Sequence, residues 1–233
     1  MEVLNLSCLS YHNIDVENIR IALNLSTVDI IDVDNIDAML EEYTIICINS
    51  TNVYIIFRGT DSIRDCITDL NVTRTNTPYG EIHSGFLNVY DTIHNNIKNK
   101  IIELNKDNTI KTITFSGHSM GGALATIASI MIDIDEIIIY CITFGSPRVG
   151  DIKFSQLHHD KLKNNSIRYV HSGDLIPHLP IKLRFKHVKN KIYVDSTTIL
   201  SRIINRIISH KFPHEINSYR DEYIKKYKYN LKI

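Results

Sequence analysis

One short stretch carries the densest chemical signal in the chain, Gly117-His118-Ser119-Met120-Gly121. It lies between a β-branched run, 110–116, and a run of small and apolar residues, 120–131. The first pattern predicts a strand and the second a helix. A serine that attacks a carbonyl must project its hydroxyl from the edge of a sheet. A sharp strand-to-helix turn achieves this but presses neighbouring backbones together. Glycine two positions before and two after the serine removes the side chains that would collide. The continuation Gly122-Ala123-Leu124-Ala125 lets the helix pack closely under the sheet. The helix start also offers positive dipole ends where negative charge would develop. Ser119 is therefore the candidate nucleophile.

A serine needs a general base, and the base needs an orienting carboxylate. On such an elbow the chain order is serine, acid, histidine. The acid candidates after Ser119 are Asp151, Asp174 and Asp195. Asp174 follows a predicted strand, 167–170, through a Ser172-Gly173 turn. Asp151 opens a predicted helix, 151–161, where it reads as a cap. Asp195 sits in a Ser-Thr-Thr turn and reads as solvated. The later histidines are His178, His187, His210 and His214. His178 is too near Asp174 in sequence to reach over the serine. His187 lies in a predicted strand. His210 and His214 both lie close to the start of the last predicted helix, 212–227, and spacing alone leaves both open.

The elements that must position these groups alternate in type. Residues 16–25 carry Val16, Ile19 and Leu23 at helical spacing. Residues 43–48 and 52–57 read as two strands of a hairpin across Asn49-Ser50-Thr51-Asn52. Phe86, Val89, Tyr90, Ile93, Ile97, Ile101 and Leu104 repeat at helical intervals and predict a long amphipathic helix. Residues 137–144 are nearly all apolar, as expected of a parallel strand covered on both faces. Residues 184–194 read as a final hairpin. Strands alternating with helices predict an α/β fold with a mostly parallel central sheet flanked by helices. No repeat or linker divides the chain, so 1–233 reads as a single domain.

The chain has 233 residues, with Lys plus Arg and Asp plus Glu balanced at 26 each. That balance gives no electrostatic case for a nucleic-acid binder. No apolar run approaches the roughly 20 residues needed to span a bilayer. The four cysteines, at 8, 47, 66 and 141, form no C-x-x-C pair and read as reduced core thiols. His158-His159 lacks the spacing of a helical metal pair, so no metal is expected, and hydrolysis through a serine, an acid and a histidine needs no cofactor. The first nine residues lack a basic leader region, which gives a cytoplasmic expectation.

Taken as a set, the motifs are similar to those of the class 3 lipases, α/β-hydrolases of the fungal triacylglycerol lipase type. Phe57-Arg58-Gly59-Thr60 resembles the family's oxyanion strand end. Asp65-Cys66-Ile67-Thr68-Asp69-Leu70 resembles the segment after it, with Cys66 where tryptophan is usual. His83-Ser84-Gly85-Phe86-Leu87 resembles the start of its helix. The Ser119 stretch through Ala125 resembles its elbow, and Thr143-Phe144-Gly145-Ser146-Pro147-Arg148-Val149-Gly150 a further block. Gly173-Asp174-Leu175-Ile176-Pro177-His178-Leu179-Pro180 resembles its acid loop, and His214-Glu215-Ile216-Asn217-Ser218-Tyr219 its terminal histidine block. The resemblance runs from about Tyr43 to Tyr219, with the blocks in family order.

The resemblance implies Ser119 as nucleophile, Asp174 as acid and His214 as base, preferred over His210 because Tyr219 follows at the family's spacing. It implies an oxyanion hole from the amides of Thr60 and Met120, with the Thr60 hydroxyl as a further candidate donor. His83 and His118 are implied to be structural or supporting. It also implies that 62–70 is a short helix that covers the serine and opens at a lipid surface. There Ile63, Cys66, Ile67 and Leu70 make one face apolar, and Arg64, Asp65, Thr68 and Asp69 make the other polar. The expected activity is hydrolysis of lipid carboxylic esters, acylglycerols foremost. Competing readings are a phospholipase A1 or general carboxylesterase, a transacylase, and a catalytically silent lipid-binding or partner-binding protein.

Overall fold

The computed structural model describes residues 7, 31–32, 44–48, 51–59, 73–195, 214–216 and 218–222. Among them a seven-stranded sheet runs in the order β1-β2-β3-β6-β7-β8-β9. Its strands are β1 (Ile31–Asp32), β2 (Thr44–Ile48), β3 (Asn52–Phe57), β6 (Thr112–His118), β7 (Ile138–Phe144), β8 (Ser166–Val170) and β9 (Lys191–Tyr193). The first three pair antiparallel, β2 and β3 as the expected hairpin. From β3 onward every pairing is parallel. A separate hairpin of β4 (Arg74–Thr77) and β5 (Gly80–His83) leads into the first described helix.

That helix, α1 (Ser84–Leu104), turns Phe86, Leu87, Tyr90, Ile93, Ile97 and Ile101 into the core. Val89 is only half-buried. Helix α2 (Met120–Met131) is buried along nearly its whole length. It packs on β3, β6 and β7 and against α1. A helix covered on every side cannot carry large residues throughout, which is why small ones fill its first turns. Helix α3 (Ile152–Leu162) starts at Asp151, whose carboxylate accepts the Phe154 amide at 2.8 Å, so Asp151 is a cap. The core joins Val53, Ile55, Phe57, Ile113 and Phe115 of the strands to these helices. Full burial of each such side chain contributes about 1.5–3 kcal/mol.

Two expectations are corrected. Residues 184–194 are no hairpin. Lys191–Tyr193 instead joins the sheet parallel to β8, with Val170 opposite Tyr193. The backbone before it finds partners elsewhere: the Lys186 amide donates to Gly150, Ser155 Oγ to the His187 carbonyl and Arg168 Nε to the Val188 carbonyl. With those groups satisfied, no antiparallel partner strand is needed, and His187 lies in this irregular stretch. Strand β7 is parallel but unevenly covered. Ile139, Cys141 and Phe144 are buried, while Ile138 is 50% exposed and Ile142 half-buried. Alternate residues face opposite sides of a sheet, and the two sides bury them differently here. The expected helix at 16–25 lies outside the described residues.

Candidate active site

Strand β6 ends at His118 and α2 begins at Met120, so Ser119 alone makes the turn. Its backbone sits at φ 60°, ψ −125°, a strained conformation for a non-glycine residue. The turn is held by the Ser119 amide, which donates to the Phe144 carbonyl at 2.9 Å. A Cβ on Gly121 would lie 2.1 Å from the Phe57 carbonyl oxygen, and one on Gly117 would lie 2.3 Å from Gly121. Both glycines are therefore required by close backbone approach, as the motif predicts.

The structure brings Ser119, His214 and Asp174 together in one line. Ser119 Oγ lies 2.7 Å from His214 Nε2, and His214 Nδ1 lies 2.8 Å from Asp174 Oδ2. A carboxylate only accepts, so Nδ1 carries the imidazole proton. That leaves the Nε2 lone pair to receive the serine proton. Asp174 is fully buried, in the turn after β8, and its Oδ1 accepts the Ile176 amide at 2.9 Å. Ser119 is itself 1% exposed.

Two supports escape a reading by motif alone. Tyr219, fully buried, donates its hydroxyl to Asp174 Oδ2 at 2.5 Å, the oxygen that also faces His214. Burial first, then the Asp174 charge, push the phenol pKa well above its ordinary value, so it remains a donor. Its only sequence signal is its place five residues after His214. Gly145, at φ 59°, passes so close that a Cβ would lie 2.9 Å from Asp174 Oδ2 and 3.3 Å from His214 Cε1.

His118 packs its ring 4.7 Å from that of His214 and donates Nε2–H to the His214 carbonyl at 2.6 Å. Burial first, then the neighbouring His214, hold its pKa well below the ordinary value. A neutral His118 adds no competing positive charge beside the imidazole that must accept a proton. His83 is buried in a different place, stacked on Phe86 at 4.4 Å, and burial lowers its pKa too.

Met120 occupies the first position of α2, where a helix has no carbonyl of its own to satisfy the amide. Its expected partner Thr60, and Ile63, Cys66, Ile67 and Leu70 of the expected lid, lie outside the described residues, as does His210. Asp195 is corrected. It is 4% exposed, not solvated, and accepts the Ser172 amide at 3.0 Å and the Ser172 hydroxyl. It thereby holds the turn that precedes Asp174, while Asp174 is the carboxylate hydrogen-bonded to His214. His187 Nε2 donates to the Pro177 carbonyl, and His178 is exposed. Among the described residues no group of three or more His, Cys, Asp or Glu side chains could hold a metal ion. No described helix is long and apolar enough to cross a membrane.

Comparison with known proteins meets this geometry from another side. Over 139 residues the chain is 30% identical to the lipase of Rhizomucor miehei, covering 55% of this chain and 37% of that protein. It is 29% identical over 142 residues to the secreted mono- and diacylglycerol lipase 1 of Fusarium solani, covering 59% of this chain and 42% of that one. The match thus spans less than half the length of these two relatives. The crystal structure of the lipase from Rhizopus microsporus var. chinensis superposes with a TM-score of 0.70 at 22% identity, over 82% of this chain and 72% of that chain. Its likeness shows the fold, an α/β-hydrolase with a mostly parallel sheet. The family model described as lipase (class 3) matches residues 54–183, more than half of the chain, and takes in Ser119 and Asp174. This chain belongs to the class 3 lipase family.

Proposed function

We propose that this protein hydrolyses carboxylic esters of lipids, acylglycerols first among them, through Ser119, His214 and Asp174. The carrying observation is the hydrogen-bonded line from Ser119 Oγ through His214 to Asp174, at 2.7 and 2.8 Å. A fold kept only to bind lipid has no need of a strained serine aimed at a tautomer-fixed imidazole. The named relatives, a lipase and a mono- and diacylglycerol lipase, support the substrate class.

His214 Nε2 takes the Ser119 proton as Oγ attacks the acyl carbonyl. The resulting imidazolium is stabilised by Asp174, which also fixes the ring. The carbonyl oxygen becomes an oxyanion beside the Met120 amide at the start of α2, with Thr60 as the proposed second donor. Each such donor is worth roughly 3–4 kcal/mol. His214 then returns the proton to the leaving alcohol, whose C–O bond breaks. Water, activated by the same imidazole, cleaves the acyl-serine and restores the hydroxyl.

A fluorophosphonate probe tests the reading directly. Wild type should label at one serine, and Ser119→Ala should not label, with its thermal unfolding unchanged. His214→Ala should lose turnover by several orders of magnitude while His210→Ala stays near wild type. Labelling that persists in Ser119→Ala would sink the assignment. A panel of mono-, di- and triacylglycerols, phospholipids and short esters then ranks the substrates. Preference for a phospholipid sn-1 ester would replace the acylglycerol reading.

A further inference from the structure

Beside the acid loop, at Pro177 and His178, the described residues line an open pocket of about 360 Å³. That lies in the range of small-molecule pockets, roughly 300–1,000 Å³. Arg148, Arg168, Lys182, Lys186, His187 and Lys191 line it, and no carboxylate does. Neither Ser119 nor His214 belongs to its wall. The chain as a whole balances its charges, yet residues 182–191 hold five Lys or Arg and no Asp or Glu.

The two arginines are built in, not splayed over a surface. Arg168 is 5% exposed and donates Nε to the Val188 carbonyl at 2.9 Å. Its Nη1 is buried with no hydrogen-bond partner among the described residues. Arg148 is 8% exposed and donates Nη1 to the carbonyls of His178 and Pro180. These contacts are to dipoles and cancel no charge. Burial first, then Arg148, push the Arg168 pKa down to about 10, which leaves it cationic at neutral pH. His187 is held well below its ordinary range, by burial first and Arg168 next, and so is neutral. Two neighbouring buried guanidinium groups with no carboxylate beside them among the described residues are an uncompensated arrangement there. A bound anion resolves it.

We propose that this cavity binds a phosphomonoester group. Guanidinium forks match phosphate oxygens in pairs, and lysines add point charges at the mouth. Several cations around one cavity suit a dianion better than a lone carboxylate. Such a group comes either from a soluble phosphate or from the headgroup of an anionic lipid. Ile181 and Leu183, 69% and 91% exposed, flank Lys182 on the same loop. Apolar side chains beside cations are what a lipid source would use at the headgroup boundary.

The test is thermal unfolding of the whole protein with inorganic phosphate, against sodium chloride at matched ionic strength. Phosphate should raise the midpoint saturably. The variant Lys186→Glu/Lys191→Glu should bind phosphate at least about tenfold more weakly, since it replaces two attractive charges with two repulsive ones. Its turnover of a soluble short-chain ester should match wild type, because neither lysine touches the triad. Arg168→Gln should lose the shift as well, and if it fails to fold the lysine variant still decides. A second arm pellets the protein with vesicles of phosphatidylcholine, with and without phosphatidic acid. Retention on the acidic vesicles that inorganic phosphate displaces supports the site with lipid as its source. Phosphate binding without retention supports it with a soluble ligand. No stabilisation beyond matched chloride, or a shift undiminished in the lysine variant, overturns the proposal.

Discussion

The Tyr219 hydroxyl offers the sharpest test of how the site is held. It donates at 2.5 Å to Asp174 Oδ2, which His214 Nδ1 approaches to 2.8 Å. Tyr219→Phe keeps the ring, including its edge contact with His118 at 5.7 Å between centroids, and deletes one O–H. A hydrogen bond to a charged group contributes about 1.5–3 kcal/mol. For a chain of 233 residues each kcal/mol shifts the unfolding midpoint by about 2–4 °C, so the midpoint should fall by roughly 3–12 °C. The chemistry should suffer less. Asp174 still accepts the Ile176 amide at 2.9 Å and the imidazole, so the ring stays oriented. Turnover should drop about tenfold, the equivalent of roughly 1.4 kcal/mol in the barrier. Scanning fluorimetry and kcat on p-nitrophenyl butyrate measure the two effects. A midpoint within about 1 °C of wild type with unchanged kcat would show that the phenol only fills space. Loss as complete as in Ser119→Ala would show that it takes part in the reaction.

The two aspartates should separate. Asp174→Asn should cost about 10⁴ in kcat by spoiling the imidazole tautomer, and should also lower the unfolding midpoint, since its carboxylate accepts from Tyr219 and the Ile176 amide. Asp195→Asn should lose about 1–3 kcal/mol of stability, read by denaturant unfolding, with near-normal kcat in the cold, because its carboxylate holds the Ser172 turn and Asp174 is the acid bonded to His214. His158 is buried, neither ring nitrogen has a partner among the described residues, and burial first lowers its pKa to about 3. The unfolded chain takes up a proton near pH 6.5 that the native ring refuses until about pH 3. This histidine therefore costs stability as pH falls through that window, by about 1.4 kcal/mol per pH unit. His158→Leu should flatten that part of the pH–stability curve by one proton; an unaltered slope would count against the buried neutral ring. If 62–70 covers Ser119, activity on a short-chain ester should rise several-fold as substrate passes its solubility limit, and Ile67→Asp should reduce that step. Identical smooth hyperbolas for both forms would remove the lid.

Periodicity gave away the elements whose environment is uniform. Residues 86–104 bury one stripe, so their spacing announced α1, and the β-branched runs announced β3 and β6. It failed where partners come from elsewhere in the chain. The stretch 184–194 is apolar at intervals, but Gly150, Ser155 and Arg168 decide its path, and nothing local marks them. Asp195 looked solvated because its neighbours in sequence are polar, whereas its partner Ser172 is 23 residues away. For the site, Ser119 and Asp174 were legible because each sits in a turn with its own local demand. The choice of His214 over His210 was not available from spacing, since both lie close to the start of the same predicted helix. It rested on the family resemblance, and the line from Ser119 to Asp174 passes through His214.

What aligns residues so far apart is the parallel register. His118 lies opposite Phe144, and Phe144 opposite Tyr169, so β6 and β7 end level with one another and β8 one residue further on. The next residue on β6 is Ser119, the next on β7 is Gly145, and β8 runs on within a few residues to Asp174. Backbone bonds lock these ends: Ser119 to Phe144 at 2.9 Å, Gly145 to Tyr169 at 3.0 Å, Asp174 to His171 at 3.1 Å. His214 arrives from a separate segment and is tied back through its own carbonyl to His118 Nε2. A slip of one residue in β8 would displace Asp174 by about 3.3 Å and turn its side chains to the other face. That exceeds the tolerance of a 2.8 Å hydrogen bond. The backbone register of the strands, which carries no catalytic atom, is therefore what places the carboxylate within reach of the imidazole.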